Sequence, residues 1–113
     1  MTNEQIDLEL FKVCYPELLR PVINFGQIRY TNEHGHECDL FRFTYDIEVC
    51  FNILIPELNR RGWYYTVSYD PSFQCHEAMF WNEDAQDFKA TDDNNVAEAI
   101  SKAAYVALKG ETK

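Results

Sequence analysis

Two side-chain periods meet in the second half of the chain, and their order limits what it can fold into. From Trp63 to Tyr69 the residues alternate: Trp63, Tyr65, Val67 and Tyr69 against Tyr64, Thr66 and Ser68. A strand turns successive side chains to opposite faces, so the alternation predicts a strand with one face more apolar. Asp70-Pro71-Ser72 supplies turn chemistry. Cys75 to Trp81 predicts a second strand, antiparallel to the first. Asn82-Glu83-Asp84-Ala85 is a tight polar turn, and Gln86 to Thr91 a short third strand. The period then lengthens. Val96, Ile100, Ala103, Ala104, Ala107 and Leu108 recur at helical spacing, which predicts a helix over 96–109. Its alanines allow close packing on a sheet. Asn95 is placed to cap it, with Glu98 three residues on as in a capping box. Lys109 and Gly110 close it.

Two further helices are expected upstream. Ile6, Leu10, Val13 and Cys14 form one stripe over 3–15, with Thr2 or Asn3 as cap. Glu4 and Asp7 suit the positive end of its dipole, and Pro16 ends it. Ile47, Cys50, Phe51, Leu54, Ile55 and Leu58 mark the core face of a helix over 45–61. Asp46 and Glu48 favour its start, Arg60 and Arg61 its end, and Gly62 the C′ position. Pro56 conflicts with that pattern and should kink or split the helix. Residues 17–45 are less ordered in pattern. A hairpin of 27–31 with 38–43 fits, with Phe41, Phe43 and Tyr45 on one face, across the turn Thr31-Asn-Glu-His-Gly-His36.

The expected architecture is α+β: a small antiparallel sheet, a three-stranded meander with or without an added hairpin, packed with three helices as a sandwich. At 113 residues the chain suits one domain, residues 1–113. No apolar run approaches the ~18 residues of a membrane span. Met1-Thr2-Asn3-Glu4 lacks the basic and apolar segments of a secretory signal, so a cytoplasmic location is expected. In that setting Cys14, Cys38, Cys50 and Cys75 are expected to be reduced.

Charge narrows function. The net charge is −9, and residues 63–95 hold seven acids (Asp70, Glu77, Glu83, Asp84, Asp87, Asp92, Asp93) against Lys89 alone. Phosphate backbones need a basic stripe, and none exists, so general nucleic-acid or anionic-membrane binding is not expected. An acidic surface serves solubility, or a basic partner reached by electrostatic steering.

Several groups could carry chemistry. His34, His36 and Cys38 offer metal ligands within five residues, and Cys75 with His76 offers two more. Zinc takes nitrogen and sulfur ligands in fours. The paired spacing that makes such a set specific is missing, so no cofactor or metal is expected. A cysteine–histidine nucleophile from Cys75 or Cys38 has no supporting motif, and Cys75 and His76 point to opposite faces of a strand. The pairs Glu83/Asp84 and Asp92/Asp93 fall in turns, the second explained by the last helix's N-terminus. Trp63, Tyr64, Tyr65, Tyr69, Phe73, Phe80 and Trp81 are mostly core if helices cover both faces of the sheet, which is the expected arrangement. If one face is bare, they are interface anchors. Arg29, Arg42, Arg60 and Arg61 beside aromatics could hold an anionic ligand such as a nucleotide.

Residues 44–69 and 86–109 resemble the phage α-β-α sandwich domain, a family of small phage proteins. The matching features are Asp46-Ile47 opening the middle helix, the alternating strand Trp63–Tyr69, and the closing Ala99-Ile100-Ser-Lys-Ala103-Ala104. The Ile6-Asp7 helix also fits. The resemblance implies a sandwich fold and a phage or prophage origin, and it carries no catalytic residues. The expectation is therefore a non-enzymatic, phage-encoded protein in the host cytoplasm that inhibits or sequesters a host defence protein with a basic surface. A homo-oligomer is compatible with this. The expected contact residues are Glu83, Asp84, Asp87, Asp92, Asp93, Trp81 and Tyr69, with the exposed edge of the 63–81 hairpin. The alternatives are sequestration of a small anionic ligand and immunity-type neutralisation of a basic toxin.

Overall fold

The computed structural model of the chain describes residues 2–16, 21–24, 27–31, 34–84, 86–92 and 95–111. Its first helix spans Asn3–Cys14. Thr2 caps it in a complete capping box: Gln5 N donates to Thr2 Oγ1 (3.2 Å) and Thr2 N donates to Gln5 Oε1 (2.8 Å). Ile6, Leu10 and Phe11 face the core. Then come three short strands, β1 (Pro21–Asn24), β2 (Gln27–Thr31) and β3 (Glu37–Asp39), paired antiparallel in chain order. Tyr30 of β2 lies against Phe11, ring centroids 4.6 Å apart, which joins this sheet to the first helix.

The β2–β3 hairpin is shorter than the periodicity of 40–45 suggests. Its register runs Thr31↔Glu37, Tyr30↔Cys38, Arg29↔Asp39 and stops there. Residues 40–46 form a turn instead, with Tyr45 N and Asp46 N both donating to Arg42 O. The turn is held from a distance. Asp7 accepts from Thr44 N (2.8 Å) and Thr44 Oγ1 (3.2 Å). Phe43 is buried, but Tyr45, expected on the same face, points to solvent.

The middle helix, residues 47–60, keeps its course through Pro56. Asp46 Oδ1 caps it through Glu48 N (3.0 Å). A proline lacks the N–H that would bond four residues back, and its ring crowds that carbonyl. The five preceding residues, Cys50–Leu54, wind as a π-helical turn, with Ile55 N bonded to Cys50 O five residues back. Pro56 therefore falls in the first turn of the α-helical segment Ile55–Arg60, where proline is tolerated. The expected split is a widened turn. At the far end Gly62 N bonds Asn59 O (3.1 Å) and Trp63 N bonds Leu58 O (3.0 Å), with Gly62 at φ +91°. This is the Schellman closure that Gly62 implied.

The meander forms as the alternation predicts: β4 (Tyr64–Asp70), β5 (Cys75–Trp81) and β6 (Asp87–Asp92), all antiparallel, with Val67↔Ala78↔Ala90 at the centre. The last helix, Val96–Glu111, lies across β5 and β6. The first and middle helices pack on it from the other side. Ala99, Ile100, Ala103, Ala104 and Ala107 are fully buried between these layers, with Phe80 and Ala78 below and Leu10, Leu54 and Leu58 above. Among the described residues the chain is thus an α+β fold with a small antiparallel meander and three helices. Gly110 sits inside the last helix rather than closing it. A Cβ there would come within 2.9 Å of the Phe88 ring, so glycine is what lets β6 approach.

Asn95 caps the last helix through Ala97 N (2.9 Å) and Glu98 N (3.4 Å). The second half of the expected capping box is replaced. Glu98 is drawn to Asn3 Nδ2 (3.0 Å) and Lys102 Nζ (2.9 Å), while Asp92 Oδ1 accepts from Asn95 N (2.9 Å). Asn95 Nδ2 also donates to Thr44 O (3.0 Å). Thr44 thereby ties the first helix, the entry to the middle helix and the cap of the last helix together.

Candidate functional site

The pairing register sorts the meander's side chains into two faces. Tyr65, Val67, Tyr69, Ala78, Phe80, Phe88 and Ala90 share the face beneath the helices. The opposite face runs in rows across the strands: Tyr64, Trp81, Asp87; then Thr66, Met79, Lys89; then Ser68, Glu77, Thr91. Among the described residues no element packs on that second face, and Tyr64, Thr66, Ser68, Asp87, Lys89 and Thr91 are exposed. The expectation that helices cover both faces is therefore corrected. All three helices stack on one side because the alanine stripe of the last helix nests in the first and middle helices, which keeps them off the outer face.

The bare face carries a defined end. The Tyr64 and Trp81 rings stack, with centroids 5.8 Å apart and an interplanar angle of 29°. Tyr64 Oη donates to Glu83 Oε1 (3.3 Å). Asp87 lies directly across from Trp81. The turn that presents Glu83 and Asp84 is built on Asn82, whose Oδ1 accepts from Asp84 N and Gln86 N (3.1 Å each). Beside the aromatic pair lies a depression of about 440 Å³ lined by Asn59, Gly62, Trp63, Tyr64, Tyr65 and Trp81. Lys89 of the second row is paired with Glu77 (3.9 Å), so the first row keeps its negative charge.

Of the expected contact residues, the fold gathers Trp81, Glu83, Asp84 and Asp87 at this end of the outer face. Tyr69 is on the helix-side face, against the His76 ring at 5.0 Å. Asp92 is engaged with Asn95 and, at 4.0 Å, with Lys102. Asp93 lies outside the described residues. Tyr64 belongs to the site and was absent from the expected set, although the strand alternation places it on the less apolar face with Thr66 and Ser68.

The remaining candidates are scattered. His34 and His36 are exposed in the β2–β3 turn, and Cys38 stands in β3. Cys75 and His76 open β5 of the other sheet, on opposite faces. Among the described residues no three His, Cys, Asp or Glu side chains gather as a group that could hold a metal ion. All four cysteines are free. Burial pushes the thiols of Cys14 and Cys50 up to about 11, which makes them poor nucleophiles. The arginines are engaged separately: Arg29 with Asp39 (3.1 Å), Arg60 and Arg61 with Glu57, and Arg42 over the Tyr45 ring at 4.9 Å. They do not converge on one anion site.

No helix among the described residues is long and apolar enough to cross a membrane. Compared with known proteins, the chain matches no family model, no curated protein sequence and no solved structure.

Proposed function

We propose that this chain is a small phage-type binding protein of the host cytoplasm that captures a host protein, such as a defence protein, through a basic side chain and performs no chemistry of its own. The observation that carries the reading is the stacked Tyr64–Trp81 pair, open on a helix-free face and hydrogen-bonded to Glu83. A guanidinium laid on such a pair gains cation–π attraction from the rings. It gains a charge-assisted hydrogen bond from the carboxylates of Glu83 and Asp87. The surrounding acids steer a basic partner towards the site from a distance.

The test is a residue-resolved NMR titration with an arginine-rich peptide and its citrulline twin. The arginine peptide should move Tyr64, Glu83, Asp87 and the Trp81 indole, and the effect should fade with salt. The citrulline peptide should not. The double variant Glu83→Lys/Asp87→Lys should abolish the response. Equal shifts with both peptides, or an undiminished response in the variant, would reject the reading.

A further inference from the structure

The two edges of the meander are built differently. The β6 edge carries Asp87 and Lys89 at alternate positions, the charged residues with which natural sheets block unwanted pairing. The β4 edge, Tyr64-Tyr-Thr-Val-Ser-Tyr-Asp70, has no charge before its last residue, no proline and no bulge against β5. Five of its seven residues are aromatic or β-branched, and among the described residues no strand pairs with its outer row of backbone groups. Large apolar side chains crowd the same edge. Tyr65 and Tyr69 on the helix side are 38% and 52% exposed, and the neighbouring middle helix adds Ile47 (43%) and Phe51 (40%), with Phe51 6.3 Å from the Tyr65 ring. Together these four leave roughly 350 Å² of side chain in water, taking ~200 Å² for each whole side chain.

We infer that β4 is the seam of a two-fold dimer, in which a second copy adds its own β4 antiparallel to form one six-stranded sheet. The strand is self-complementary about Val67. In that register Val67 meets Val67 of the second copy, Thr66 meets Ser68, Tyr65 meets Tyr69, and Tyr64 meets Asp70. Every pair keeps odd residues with odd and even with even, so the helix-side faces of both copies lie on the same side. Tyr65 and Tyr69 make cross-strand aromatic pairs, Thr66 and Ser68 hydroxyl pairs, the combinations that stabilise antiparallel ladders. A two-fold axis at the edge brings the Ile47 and Phe51 ridges of the two middle helices towards each other. The apolar area above is about two-fifths of the ~800 Å² per partner of a standard interface before any backbone is counted. An isologous contact closes on itself, so the assembly stops at two. The inference is independent of the partner proposed for the outer face.

The test is the mass in solution by light scattering across a concentration series, with two double variants at exposed positions. The wild type should weigh twice 13.3 kDa and dissociate on dilution. Thr66→Lys/Ser68→Lys sets lysine against lysine across the axis and should be monomeric. Thr66→Glu/Ser68→Lys sets glutamate against lysine and should restore the dimer. Circular dichroism of the three proteins should coincide, and the restored variant shows that the edge tolerates both substitutions. A wild type of 13.3 kDa at every concentration, a dimer that survives Thr66→Lys/Ser68→Lys, or a monomeric Thr66→Glu/Ser68→Lys would each overturn the inference.

Discussion

Asp7 holds the fold at a point that no helix propensity describes, and its removal is the sharpest test of the architecture. The side chain is 6% exposed and accepts from Thr44 N at 2.8 Å and Thr44 Oγ1 at 3.2 Å, with Thr44 itself buried. Asp7→Ala leaves a buried backbone N–H without an acceptor, at about 1–3 kcal/mol, and removes a bond to a charged group of about 1.5–3 kcal/mol. Release of the carboxylate from its dry surroundings offsets part of this. The net loss is about 2–3 kcal/mol, a fall of about 10–15 °C in Tm for a domain of this size. Asp7→Asn keeps the acceptor for Thr44 N and removes the charge, so it should stay within about 1 kcal/mol of wild type. Burial raises the Asp7 pKa above its ordinary 3.8, against the two Thr44 hydrogen bonds and Arg42, which lower it. A raised acid pKa means that the native state holds the proton more tightly. The Asp7 contribution to stability is therefore complete below pH 3.8 and declines as pH rises through the raised value. Relative to wild type, Asp7→Asn should gain ground over that rise. Urea unfolding of the three proteins from pH 3 to pH 8 measures both effects. A loss below about 0.5 kcal/mol for Asp7→Ala, or equal losses for Ala and Asn, would refute the hydrogen-bond account.

Other consequences can be checked on the same material. Asn95→Ala removes the cap of the last helix and the donor to Thr44 O together, and should cost about 2 kcal/mol in urea unfolding. Asn95→Asp keeps the cap alone and should fall between that variant and wild type. Ala103→Leu forces three extra heavy atoms into a fully buried stripe and should cost about 1–3 kcal/mol. Iodoacetamide at pH 8 should leave Cys50 unlabelled in the native protein and label it in urea, because it is fully buried with its thiol pushed up to about 11. Peptide mapping by mass spectrometry reads that difference.

Local pattern determined the elements that depend on neighbours in the chain. The alternation of 63–69 and the turns at Asp70-Pro71 and Asn82 placed the meander within a residue of its observed strands. Thr2, Asp46, Gly62 and Asn95 were recognisable as helix boundaries because capping is a contact between residues two to five apart. The acidic turn at Glu83 and the aromatic rows were also visible in the sequence. Tertiary structure alone decided how these parts face one another. Phe41, Phe43 and Tyr45 alternate like a strand, but Thr44 is claimed by a carboxylate 37 residues away, and the segment turns instead. Pro56 announced a break, and a π turn absorbed it, since the helix's contacts with the core favour one continuous element. Which face of the sheet stays bare, and hence whether Tyr64 and Trp81 are core or surface, follows from all three helices stacking on one side. Contacts between elements far apart in the chain set that choice, and no local period encodes them.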